Sequence, residues 1–138
     1  MADIQFPSGS GTLSVTVKDN NGAPASVLEA DTDFTIDAKW SIDKYSAAAL
    51  GGKWELAAYV ESIGAGPEKQ IGLTAVVPLN GGTSYSATIK VPAGSLPDDP
   101  APPTSGVYKL VTVLLLRGPF GKVSDVAGFV EGPMLRIG

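Results

Sequence analysis

The sequence has no cysteine and no histidine. Without cysteine there is no disulfide framework and no thiolate to attack a substrate or hold a metal. Without histidine the commonest general base and the commonest transition-metal ligand are both missing. Charge is sparse as well: ten basic residues stand against fourteen acidic ones, for a net charge of −4. The basic residues are scattered, so no stripe exists to neutralise phosphates and nucleic acid is not expected as a partner. No apolar run approaches the ~18 residues of a membrane-spanning helix, so no membrane span is expected.

Catalytic motifs are missing too. There is no Gly-x-Ser-x-Gly elbow, and Gly64-Ala65-Gly66 runs into Pro67 and Glu68, which breaks both nucleotide-binding patterns. Ser105 has Tyr108, not a lysine, three residues on. Glu55 and Glu61 lie on one side of a predicted strand about 20 Å apart, whereas paired glycosidase carboxylates stand ~5–10 Å apart. The expectation is a chain with no catalytic residues and no cofactor. Met1-Ala2-Asp3 lacks the charged and apolar regions of a signal peptide, so the expected location is cytoplasmic, or extracellular if the chain is a fragment.

What is present is alternation punctuated by turns. The 17 glycines and 11 prolines fall between apolar runs rather than in one tract, the pattern of tight turns and not of disorder. Residues 1–11 are small and polar and read as a flexible tail, with Ile4 and Phe6 able to dock. Residues 12–138 read as one domain. Thr12–Lys18 alternates, with Leu13, Val15 and Val17 on one side. Asp19-Asn20-Asn21-Gly22 is a turn signal. Phe34–Ile42 alternates over its whole length. Tyr45–Leu50 is one helical turn or an irregular crossover, too short to be a stable helix alone.

Lys53–Ser62 alternates Trp54, Leu56, Ala58 and Val60 against polar neighbours. In Gln70–Leu79 the predicted inward set is Ile71, Leu73, Ala75, Val77 and Leu79, and Pro78 marks an edge or an end. Asn80-Gly81-Gly82 is a hairpin-type turn, followed by Ser84–Val91. Pro92–Thr104 is a proline-rich surface connection. Its second reading is a polyproline ligand, and a stiff linker is the simpler one. Ser105–Arg117 is the longest apolar run. Val123–Ile137 closes the chain, interrupted at Gly132-Pro133 by a bulge or a strand switch.

Seven such strands with almost no helix predict an all-β, seven-stranded antiparallel β-sandwich. The chain resembles the immunoglobulin-like and fibronectin III-like sandwiches, without their inter-sheet disulfide. Trp54, early in the third strand, is similar to the core tryptophan of that fold. Tyr108 opens the sixth strand and resembles its tyrosine corner, with Leu110 where a cysteine would sit and Ile36 or Ala38 opposite. The resemblance implies Greek-key topology and assigns no function.

Two surface features carry a functional expectation. Glu29, Asp31, Asp33 and Asp37 cluster near a strand start, and Asp31 and Asp33 are the candidate ligands of a hard cation, with Asp98-Asp99 able to add from another loop. No EF-hand spacing is present, and a solvated acidic loop is the plainer reading. The other feature lies in the sixth strand. If Tyr108 and Leu110 face the core, the outward set is Val107, Lys109, Val111, Val113, Leu115 and Arg117, whose middle is aliphatic where an exposed face would be polar.

The neighbouring third strand adds Ala57 and Tyr59. Together Ala57, Tyr59, Val111, Val113 and Leu115, rimmed by Lys53, Glu55, Glu61, Lys109 and Arg117, form the candidate protein interface. Coverage of this patch by the N-terminal residues is the competing reading. The expected function is a non-catalytic protein-binding or assembly module whose partner is another protein or itself, most simply as a homodimer. The alternative is a ligand-binding module for Ca²⁺ or carbohydrate.

Overall fold

The computed structural model describes residues 2–5, 10–63, 68–96, 106–118, 120 and 123–138. These residues form nine strands and one short helix: β1 (Ala2–Gln5), β2 (Gly11–Lys18), β3 (Val27–Leu28), β4 (Phe34–Ile42), α1 (Lys44–Ala49), β5 (Lys53–Ser62), β6 (Glu68–Pro78), β7 (Ser84–Val91), β8 (Val107–Arg117) and β9 (Val123–Ile137). The alternating segments become strands because every second side chain is apolar and is buried when the strand lies against a core. In β4, Phe34, Ile36, Ala38, Trp40 and Ile42 are all buried; in β8, Tyr108, Leu110, Thr112, Leu114 and Leu116 are.

The strands run in the order β6-β5-β8-β9-β1-β2-β4-β7, antiparallel throughout, with β3 added in parallel beside β9. This departs from the predicted seven-stranded sandwich. The two halves, β1-β2-β4-β7 in front and β6-β5-β8-β9 behind, are joined into one sheet by β1. Ala2 and Asp3 pair with Leu13 and Thr12 of β2, while Ile4 and Gln5 pair with Gly128 and Ala127 of β9. On the opposite side β6 and β7 lie against each other without forming a ladder. The result is a sheet that nearly closes into a barrel.

The residues read as a tail therefore supply a strand, and Ile4 is 3% exposed within the core. A Cβ on Gly128 would come within 3.3 Å of Asp3 O and Ile4 Cγ1, so glycine there lets β1 dock closely. Phe6 lies outside the described residues, as do Gly64–Pro67 and the proline-rich stretch from Pro97 to Ser105.

One further departure has a local cause. Leu73, predicted to face in, is 87% exposed. Leu56 pairs with Ala75 but Ala58 pairs with Ile71, so β6 carries two extra residues opposite Ala57. The bulge starts at Gly72, with φ +67°, and Gln70 Nε2 donates to Thr74 Oγ1 across it at 3.0 Å. In β9 the interruption at Gly132-Pro133 is a bulge containing a cis peptide bond, and the strand continues through it beside β8.

Between the sheets Trp40, Trp54 and Tyr85 form an aromatic cluster with ring centroids 6.0 to 6.1 Å apart. Around them sit Ile36, Leu56, Ile89, Leu110 and Leu114, all under 2% exposed. The crossover from β4 to β5 is α1. Asp43 caps it, Oδ2 accepting from Ser46 N at 3.3 Å while Oδ1 accepts from Ser10 N.

Candidate functional site

The outer faces of the two half-sheets differ in chemistry although both are built from the same alternation. On the front, the cross-strand rows are Thr12–Ser41–Ser84, Ser14–Lys39–Ser86, Thr16–Asp37–Thr88 and Lys18–Thr35–Lys90. These twelve positions hold no aliphatic or aromatic side chain. Asp37 is engaged there: Lys18 Nζ lies 2.7 Å from Oδ2 and Thr88 Oγ1 donates to Oδ1 at 2.9 Å. The lysine contact holds the Asp37 carboxyl below its ordinary pKa. This is how the solvent side of an antiparallel sheet normally reads.

The back reads otherwise. Its central row is Ala57–Val113–Phe129, flanked by Tyr59–Val111–Glu131 on one side and Glu55–Leu115–Ala127 on the other. All five residues singled out from the sequence, Ala57, Tyr59, Val111, Val113 and Leu115, thus stand on one face, in directly paired positions of β5 and β8. Tyr59 is 40% and Phe129 57% exposed, and the smaller residues between them are half-buried by their neighbours. Ile4 does not cover this face. Its partner Gly128 is also the partner of Leu114, whose side chain points into the core, so β1 extends the sheet sideways.

Charges close the face at both ends. At the β8 C-terminal end Arg117 makes a bidentate pair with Glu55, Nε to Oε1 at 2.8 Å and Nη2 to Oε2 at 3.1 Å, beside Lys53. This pairing lowers the pKa of Glu55 and raises that of Arg117. At the other end Lys109 Nζ sits 3.6 Å from Glu61 and 3.8 Å from Glu131.

Sequence reasoning missed the contribution of β9. Phe129, Ala127 and Met134 (47% exposed) extend the apolar surface by a strand. The break at Gly132-Pro133 hid their periodicity.

The acidic candidates are placed differently. Asp31 and Asp33 are both exposed. Asp33 Oδ1 accepts from Ala93 N at 3.0 Å, tying the β3–β4 turn to the end of β7. Among the described residues no three Asp or Glu side chains come together as a metal site. Asp98 and Asp99 lie outside those residues. Glu55 and Glu61 each pair with a cation on the apolar face. No helix among the described residues is long and apolar enough to cross a membrane.

No protein-family model matches the chain, and no curated protein matches it. Solved structures do. A β-glucosidase from Listeria innocua superposes with a TM-score of 0.52 at 12% identity over 94% of this chain, and the same enzyme in complex with glucose gives 0.53. The chain corresponds to only 16% of the length of those enzymes. AggA, the major subunit of aggregative adherence fimbriae type I from Escherichia coli, aligns over 97% of this chain and 99% of its own at 11% identity, with a TM-score of 0.46. At such identities the likeness to the β-glucosidase concerns the fold alone: an antiparallel, all-β unit.

Proposed function

We propose that this chain is a non-catalytic, immunoglobulin-like assembly module that binds another protein through the outer face of β5, β8 and β9. One observation carries the reading. The two outer faces of one molecule follow the same alternation, yet one is hydroxyls and lysines and the other is a contiguous apolar band. Solubility and fold would be served equally well by a polar back face, so the apolar band requires a different account. Soluble monomers rarely expose such bands beyond a few hundred Å² unless something docks on them. The ends agree with this: charged residues rim the band and leave its centre uncharged, the layout of an interface core within a polar rim. The likeness to about a sixth of a larger enzyme's chain is consistent with a unit that works attached to, or assembled with, other protein.

The test is Val113→Glu. At a concentration dilute enough that no association contributes to the melt, a face that meets solvent in the free chain leaves the carboxylate hydrated, and the melting temperature changes by less than about 5 °C. If the face is covered within the chain, the buried charge causes large destabilisation, and the reading is overturned.

A further inference from the structure

Resting on that reading, we infer that the partner on the apolar face is a second copy of this chain, packed face to face about a two-fold axis that runs across the strands at the Ala57–Val113–Phe129 row. Two observations lead there. The first is size. Three strands about 4.8 Å apart, over eleven residues rising about 3.3 Å each, present roughly 14 Å by 36 Å, about 500 Å² per partner, which meets the total of about 1,000 Å² that a biological interface needs.

The second is the charge at the two ends. Among the described side chains, Lys53, Glu55 and Arg117 at one end sum to +1, whereas Glu61, Glu68, Glu131, Lys109 and Arg136 at the other sum to −1. Two in-plane axes bring the sheet face onto itself with the strands of the two copies nearly aligned, as packed sheets prefer. An axis along the strands lays each end on its own like, acidic on acidic. An axis across the strands lays the acidic end of one copy on the basic end of the other, which is the complementary choice.

The residue pairing fits this geometry. With the axis at Val113, Val113 meets its own equivalent and Leu115 meets Val111. Arg117 lies four residues from the axis, about 13 Å. Packed sheets cross at about 30°, which displaces Arg117 sideways by about 6 Å, a little more than one strand spacing. One hand of that rotation takes it off Lys109 and onto Glu61 of β5, and the other onto Met134 of β9.

The absence of cysteine makes the test clean, because any thiol introduced is unique. The full chain is made as Leu115→Cys and as Val111→Cys, and each is treated with a short bismaleimide alone and as an equimolar mixture, with wild-type mass measured by sedimentation. The inference expects a dimer, with covalent dimer abundant in the mixture and at least about fivefold weaker for Leu115→Cys alone. A Leu115→Cys chain that links to itself as readily as in the mixture overturns the orientation. A wild-type chain that sediments as a monomer up to high micromolar concentration, with no linking in any arm, overturns the second copy as occupant. Neither result touches the docking face itself, which stands or falls on the melting temperature of Val113→Glu. Should the cysteine variants fail to fold, charge reversal replaces them. Lys53→Glu with Arg117→Glu, and Glu61→Lys with Glu131→Lys, should each weaken self-association at least about tenfold and should associate with each other when mixed. Unaltered self-association in both overturns the end-to-end charge match.

Discussion

At the scale of single residues, three positions show what the fold demands. Gly72 has a positive φ, and a Cβ there would run into the Ile89 side chain and come within 2.8 Å of the Lys90 carbonyl. Gly72→Ala should therefore destabilise the chain by about 1–3 kcal/mol in urea unfolding, through backbone strain and through forcing β6 off β7. Thr112 is the opposite case. Its hydroxyl is fully buried and makes no hydrogen bond among the described residues. Thr112→Val keeps the shape and removes an unsatisfied polar group, so stability should rise by about 1 kcal/mol in the same assay. Arg117 pairs with Glu55 at a half-exposed site, and Glu55→Gln should cost no more than about 1 kcal/mol.

At the scale of elements, β1 does more than its four residues suggest. Among the described residues it is the only strand that pairs into both half-sheets, and Ile4 anchors it in the core. Ile4→Ala should cost about 2–4 kcal/mol and should speed hydrogen exchange along β2 and β9, whose edges β1 covers. The same element shows where the sequence is readable and where it is not. β4 and β8 are long and alternate without a break, so their burial could be assigned residue by residue. β1 and β3 are too short to show a period. β6 alternates too, and Ile71 and Ala75 keep the inward phase on either side of the two extra residues at Gly72–Thr74, but Leu73 within that bulge is thrown into solvent. The candidate face was legible on β5 and β8 for the same reason as the core, since inner and outer sets are complementary. Its third strand was obscured by the bulge at Gly132-Pro133, and barrel-like closure depends on pairings between chain ends that no local pattern encodes.

At the scale of the whole molecule, the charge inventory sets the response to pH. Asp37, Asp43 and Glu55 all titrate below their ordinary values of 3.8, 3.8 and 4.5, held down by Lys18, by the Ser46 cap contact and by Arg117 respectively. The unfolded chain thus takes up these protons first as pH falls. Their contribution is complete above the ordinary carboxylate range and is lost as pH drops through the lowered values. With no histidine in the chain, thermal melts should be flat between about pH 5 and 8 and should decline only below about pH 4.5. The pairing of β1 with β9 has a consequence for biosynthesis. β1 is made before β9 and closes against it, so a nascent chain cannot complete this sheet until β9 has emerged. Until then the edge of β2 stays open to other chains, and crowding of nascent chains on one message is the moment when this protein is most exposed to mispairing.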